Sequence, residues 1–241
     1  MPLNLEGQTA IVTGAGRGIG KSVALGLADA GARVVAAART AAELDTLVDT
    51  VHSGGGDAIA VPTDISREDD VQTLFNTVLQ QTGQVDVVVN NAGIGLFGPT
   101  VATSAKDFER VLRINTLGTF LCCREALRHM MPRKRGMIVN IASVVGFRGY
   151  PNQVAYTASK HGVMGVTKTI AAEAQEHNIK VSAILPGGVD TDMASQARPD
   201  LDRTVLIPPE DITTTILYLL ALSDRSAVDQ IYIRRSCSKP F

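Results

Sequence analysis

The chain reads as an α/β protein: a doubly wound, parallel, seven-stranded sheet with helices on both faces, organised as a single domain over residues 1–241. Three observations predict this. Short apolar runs rich in β-branched residues alternate with longer stretches at helical spacing. The runs are continuously apolar, as strands covered on both faces must be. A chain of 241 residues, 45% of them hydrophobic, suffices for one substantial core and is short for two.

The strand-like runs are Thr9–Val12, Arg33–Ala38, Ala58–Val61, Val85–Val89, Met137–Ala142, Lys180–Leu185 and Val228–Ile233. Between them, helical periodicity predicts helices near 19–30, 41–52, 67–81, 104–131, 154–177 and 209–222. These are the crossovers that parallel strands need. No repeat or Pro/Ser-rich linker marks an internal boundary. Several strand ends carry glycine or small polar residues: Gly14 and Gly16, Asp64, the run Asn90-Asn91-Ala92-Gly93, Ser143, and Pro186-Gly187. In an open α/β sheet those ends share one edge, where ligands bind at the reversal of strand order.

The bulk numbers narrow the function classes. A net charge of −1 with mixed signs provides no basic face for nucleic acid. No window reaches the ~18 apolar residues of a membrane span, and the start lacks a secretory pattern, so a cytoplasmic location is expected. The cysteines, Cys122, Cys123 and Cys237, make no disulfide framework and read as small hydrophobes. The four histidines show no metal-ligand spacing, and no metal is expected.

At the nucleotide end, the first strand runs into Thr13-Gly14-Ala15-Gly16-Arg17-Gly18-Ile19-Gly20, which opens a helix. Glycines there let backbone approach a pyrophosphate, and the helix start offers unpaired N–H groups. About twenty residues on, where an acid would bind the ribose hydroxyls of NAD, stand Ala38 and Arg39. A guanidinium there pairs with the 2′-phosphate of NADP, and Arg17 can approach the same group. Two solvated surface arginines are the competing reading. NADP (as NADPH) is therefore the expected cofactor.

At the chemical end, Tyr156 and Lys160 stand four apart and share a helix face. An ammonium beside a phenol favours the phenolate, which predicts a lowered tyrosine pKa and an acid/base role. Ser143 closes an apolar strand thirteen residues earlier, where its hydroxyl can hold a substrate oxygen or start a turn. Asn115 interrupts the apolar stripe of a long helix. Its amide either ties down a neighbouring carbonyl or holds a water beside Lys160.

Taken together these motifs resemble the short-chain dehydrogenase/reductase family, in its single-domain Rossmann form, over nearly the whole chain. Thr13, Gly14, Gly18 and Gly20 match its glycine motif; Asn90, Asn91, Ala92 and Gly93 its Asn-Asn-Ala-Gly; Asp64 its adenine-contacting acid. Asn115, Ser143, Tyr156 and Lys160 match its catalytic tetrad, Pro186 and Gly187 its Pro-Gly, and Thr191 the threonine that contacts the carboxamide. The resemblance implies a dinucleotide facing the tetrad, Lys160 gripping the nicotinamide ribose, and hydride exchange with the carbonyl carbon of a small-molecule substrate. It also implies a homodimer or homotetramer built on the long helices.

The stretch from Asn90 to Met193 is most similar to 3-oxoacyl-acyl-carrier-protein reductases, which makes a 3-oxoacyl thioester a candidate substrate. Two departures stand against that substrate. The segment between Thr191 and Pro208 is short for a lid, and Ile233-Arg234-Arg235 replaces a glycine-rich end. Arg133, Lys134 and Arg135 are either a carrier-protein contact or a solvated helix cap. The alternatives in function are an NAD-linked alcohol or steroid dehydrogenase and a non-catalytic dinucleotide sensor.

Overall fold

The structure is a computed structural model that describes residues 3–197 and 202–240. In chain order, β1 (Thr9–Thr13) leads to α1 (Gly18–Asp29), β2 (Arg33–Ala38) to α2 (Ala41–Ser53), and β3 (Asp57–Pro62) to α3 (Glu68–Thr82). There follow β4 (Val87–Asn90), α4 (Ala105–Leu112), α5 (Gly118–Met130), β5 (Gly136–Ile141) and α6 (Val154–Gln175). The chain continues with β6 (Ile179–Pro186), α7 (Asp192–Ala197), α8 (Pro209–Ala221) and β7 (Gln230–Ile233).

The seven strands form one sheet in the order β3-β2-β1-β4-β5-β6-β7, every pair parallel. Alternation along each strand divides the core. Val12, Val34, Ala36, Val87, Val89 and Val139 face α1, α2 and α8, where Val23, Leu27, Leu44, Leu47, Ile212 and Ile216 pack. Ile11, Val35, Ala37, Val88 and Ile138 face the other way, onto Leu74 and Phe75 of α3 and Leu121, Cys122 and Ala126 of α5. The central strands β1, β4, β5 and β6 thus bury both faces, which is why their sequences are largely apolar. Cys122 and Cys123 are fully buried in that second layer, and burial pushes both thiols up, that of Cys123 to about 12.

The expected helix over 104–131 is not continuous. Its middle, Arg113–Leu117, is a π-helical turn between α4 and α5. One extra residue per turn there breaks the regular ladder, and such turns commonly re-aim a side chain. Here the turn carries Asn115, with its side chain in the interior.

The chain reverses direction across the sheet between β1 and β4, whose carboxyl ends meet in register at Thr13 and Asn90. Asn90 turns inward, donating to Asn140 Oδ1 at 2.8 Å on the neighbouring strand. Asn140 donates in turn to Thr167 Oγ1 at 2.9 Å. This buried polar chain ties β4, β5 and α6 together just beneath the sheet edge. None of the helices among the described residues is long and apolar enough to cross a membrane.

Candidate active site

A cleft of about 770 Å³ runs along the carboxyl edge of the sheet. Its floor at β1 is the turn from Gly14 to Gly20. Gly14 and Gly18 hold positive φ, at 66° and 55°, which favours glycine. A Cβ on Gly14 would sit 2.8 Å from Ala92 Cα, and one on Gly20 would run into the Gly14 carbonyl oxygen. The two glycines therefore let three chain segments close on one another. Asn91 locks them, its Nδ2 donating to the Thr13 carbonyl at 3.1 Å and the Gly14 carbonyl at 3.2 Å. Thr13 Oγ1 accepts from the backbone N–H of both Asn91 and Ala92, at 3.1 Å each. No side chain caps the start of α1. Its first N–H groups and the positive end of its dipole therefore open onto the cleft, as a pyrophosphate requires.

The adenosine side lies beyond β2 and β3. Arg39 and Asp64 both line it. Burial raises the Asp64 carboxyl, but hydrogen bonds from Ser66 and the charges of Arg39 and Arg67 outweigh it and hold the pKa below the usual value. Asp64 Oδ1 accepts from Ser66 N at 3.0 Å and Ser66 Oγ at 2.7 Å. Arg17 also lines the cleft. It pairs with Asp192 at the start of α7, Nη1 to Oδ2 3.4 Å, with both side chains largely exposed. That contact bridges the nucleotide turn and the lid.

The chemical side is built on β5, α6 and the turn after β6. Ser143 follows β5, donating to the Pro186 carbonyl at 3.3 Å while its oxygen accepts from Val145 N at 3.4 Å. The extended backbone at Ser143 and the short turn after it thus fix its hydroxyl at the edge. Tyr156 and Lys160, one turn apart on α6, present their side chains to the same wall, with Lys160 Nζ 5.8 Å from the centre of the Tyr156 ring. Lys160 is buried, and its ammonium donates to the Ile141 carbonyl at 2.7 Å.

The electrostatics correct one expectation. Burial pushes the Tyr156 phenol up, to about 12, and the hydrogen bond with Ser143 only partly opposes it. The same burial pulls Lys160 down to about 8. Lys160 spends its hydrogen bond on Ile141, so desolvation outweighs the ammonium's pull on the phenol. Tyr156 is therefore a protonated donor at neutral pH, whereas Lys160 is a cation close to losing its charge.

Asn115 does not line the cleft. Its Oδ1 accepts from Ile94 N at 2.8 Å, and its Nδ2 donates to Ile94 O and Ser159 Oγ, both at 2.9 Å. Of the two readings, the geometry matches the one in which the amide ties down backbone. It pins the loop after β4 to α6 behind Tyr156, and Ser159 Oγ passes the chain on to the Tyr156 carbonyl at 2.7 Å. Of the remaining expected residues, Gly16, Ile19, Ala92, Gly93, Pro186, Gly187 and Thr191 line the cleft, and Gly20 lies beneath it. Thr191 Oγ1 accepts from Ala194 N at 3.3 Å, starting α7, and its methyl packs toward Gly18.

Several lining residues carried no motif. Phe97 meets the Tyr156 ring edge-on, with centroids 5.8 Å apart and planes at 66°. Tyr150, Met193 and Val145 add apolar surface, and Glu43 lies over Gly16. Phe97 stands in an apolar stretch between Gly95 and Gly98, a composition that marks a loop without saying what it faces. Part of the 192–207 lid, residues 198–201, lies outside the described residues.

The basic triplet sits far from all this. Arg133 donates to Asp86 Oδ1 at 2.6 Å and to the Val85 carbonyl at 2.8 Å, at the amino end of β4 and the opposite edge of the sheet. Its charge neutralises a buried carboxylate there, so Arg133 does more than cap the helix, while Lys134 and Arg135 stay exposed.

A family model described as short chain dehydrogenase matches residues 8–202. A 3-oxoacyl-[acyl-carrier-protein] reductase from Synechocystis sp. is 39% identical over 221 residues, covering 89% of this chain and 90% of that enzyme. A hydroxynaphthalene reductase-like protein from Metarhizium majus is 40% identical over 194 residues, covering 80% and 72% respectively. Among solved structures, a metagenomic short-chain oxidoreductase in complex with NADP superposes with a TM-score of 0.85 at 33% identity, over 97% of this chain and 99% of that one. A parallel sheet wound outward from β1, a glycine turn at its reversal point and these matches agree: the chain belongs to the short-chain dehydrogenase/reductase family of oxidoreductases.

Proposed function

We propose that the protein is an NADPH-dependent reductase of a ketone on a small molecule, with Tyr156 as the proton donor. The observation that carries this is the convergence of Ser143, Tyr156 and Lys160 on one wall of the cleft whose floor is the glycine turn. The cleft fits a dinucleotide: close-packed glycines, uncapped N–H groups and Asn91 build the cradle, and Arg39 stands at the adenosine end with no carboxylate within 4 Å among the described residues. When bound, NADPH supplies a hydride to the carbonyl carbon. Gly14, Gly18 and the first turn of α1 hold its pyrophosphate, Arg39 its 2′-phosphate, Asp64 its adenine, and Lys160 and Thr191 the nicotinamide end. Ser143 orients the substrate oxygen, and Tyr156 delivers the proton that this oxygen takes up as it becomes an alcohol. A phenol held at high pKa is protonated for that step, and the Lys160 charge steadies the phenolate that remains.

The relatives' names carry different substrates, a 3-oxoacyl-[acyl-carrier-protein] and a hydroxynaphthalene, so the substrate follows from the pocket and not from the family. Glu43 over Gly16 is the observation favouring NAD, because its carboxylate repels a 2′-phosphate. The test is NADPH and NADH oxidation across a panel of ketones and acyl thioesters, beside Arg39→Ala. The expected outcome is a preference for NADPH that falls at least tenfold in the variant; equal loss with both cofactors contradicts the assignment of Arg39. In the family's manner we also propose self-association through α4, α5 and α6, where Leu112, Leu117, Phe120 and Val166 line an open groove.

A further inference from the structure

The chain's last described residues fold back over the cleft. Gly187 N donates to the Ile233 carbonyl at 2.7 Å, fastening the end of β7 to the turn after β6. Beyond it the tail curls around Arg234, whose Nη1 donates to the carbonyls of Arg235, Ser236 and Ser238 at 3.1, 3.1 and 2.7 Å. Arg234 is thereby consumed as the hub of a turn. Arg235 is not. It lies against Gly188, with Cδ and Nε 3.6 and 3.8 Å from where a Cβ would stand, and it lines the cleft half-buried. No carboxylate among the described residues comes within 4 Å of it. Lys239, also at the cleft, has no such partner either.

The cleft's acids at this end are already engaged. Asp190 pairs with Arg203 at 2.7 Å, Asp192 with Arg17, and Asp107 accepts from Ser104 at 2.8 Å. That leaves Arg235 as a positive charge on the cleft wall with no carboxylate partner among the described residues, available to an anionic ligand. Position favours the substrate as that ligand. The tail covers β6 and β7, whereas the glycine turn belongs to β1, three strands away across β4 and β5. The adenosine end lies farther still in the other direction. Arg235 over Gly188 is next to Pro186, whose carbonyl accepts from Ser143 Oγ at 3.3 Å, so its charge stands beside the residue that orients the substrate oxygen.

Resting on the reductase reading above, we propose that the substrate is an oxo acid: a ketone whose carboxylate is held by Arg235, with Lys239 adding charge at the mouth. The carboxylate takes no part in the chemistry. The hydride adds to the ketone carbon, the proton from Tyr156 goes to its oxygen, and the product is the hydroxy acid with NADP⁺.

The test is NADPH oxidation with 2-, 3- and 4-oxo acids of four to eight carbons, each beside its methyl ester, and with a phosphorylated ketone. Wild-type enzyme should prefer acid to ester by at least tenfold in kcat/KM. Arg235→Gln should lower that acid-to-ester ratio by about 10–100-fold, mainly through KM, as loss of a charge-assisted hydrogen bond does. Arg235→Lys, which keeps the charge and the packing over Gly188, should restore part of it. Equal turnover of acid and ester by wild-type enzyme, or an unchanged ratio in Arg235→Gln, overturns the proposal while leaving the reductase intact. A phosphorylated ketone preferred over every oxo acid overturns the carboxylate. Should no ketone be turned over, the reductase reading fails. Titration of oxo acids into the NADPH complex, followed by cofactor fluorescence, then decides the anion site alone: binding weakened tenfold in Arg235→Gln sustains it, and no binding to wild-type protein overturns it.

Discussion

Burial acts in opposite directions on the two titrating groups of the site. It keeps the Tyr156 proton on, with a pKa pushed to about 12, and loosens that of Lys160, pulled to about 8. Both shifts disfavour charge in a poorly solvated wall. The sign for catalysis follows. In the proposed mechanism reduction needs a protonated Tyr156, which holds through the working range, and a cationic Lys160, which fades as pH rises through about 8. The kcat/KM for reduction should therefore stay level below pH 7 and decline above about 8. Lys160→Arg, if active, should move the decline upward because a guanidinium does not titrate there. A rate independent of pH up to 10 would contradict this role. Gly20 is the second residue where competing effects can be weighed. Alanine in a helix is ordinarily favoured over glycine by up to about 1 kcal/mol. At this site its methyl meets the Gly14 carbonyl, and the turn must open. Gly20→Ala should destabilise by roughly 1–3 kcal/mol and weaken NADPH binding at least tenfold, read by thermal melting and cofactor fluorescence.

Among the elements, the segment from α4 to α5 was the least legible in sequence. Its apolar stripe predicts one helix through 131, and periodicity cannot announce a π-turn that inserts one residue without breaking the apolar pattern. The signal was Asn115, a polar residue where a core prefers a hydrophobe; its partners were not readable, because Ile94 and Ser159 lie on other elements. Removing the amide leaves the part-buried Ile94 N–H and carbonyl without their partner, at a cost of up to about 1–3 kcal/mol each. Asn115→Leu should thus lower the urea midpoint and reduce kcat more than it raises the Kd for NADPH, since the loop behind Tyr156 loosens while the glycine turn is untouched. A variant of unchanged stability would show that these bonds contribute little. The glycine turn and α6 were legible for the opposite reason: their chemistry lies in consecutive residues or in residues one helical turn apart.

The doubly wound parallel sheet and the gathering of the motifs at its carboxyl edge followed from the alternation of apolar runs, and nearly every motif residue lines that one edge. What the alternation could not convey was contact between remote segments: Arg17 with Asp192, Arg133 with Asp86, and the tail with the turn after β6. On the scale of assembly, Leu117 at the end of the π-helical turn and Phe120 on α5 are each more than a third exposed. Sedimentation should give an even multiple of the 25.5 kDa chain, and Phe120→Glu should shift it toward the monomer. A monomeric wild-type protein would remove that expectation without touching the site.

In the proposed reaction a phenol on α6 hands a proton to a ketone oxygen beside a bound dinucleotide. Transfer of deuterium from 4-deuterated NADPH to an accepted ketone, followed by mass spectrometry for wild-type protein and Tyr156→Phe, tests it most directly when NADPH affinity is measured alongside. The account predicts label on the carbinol carbon in wild type, and in the variant NADPH affinity within about threefold but transfer lowered by about 10³-fold or more. Transfer by Tyr156→Phe at a rate near wild type would contradict it.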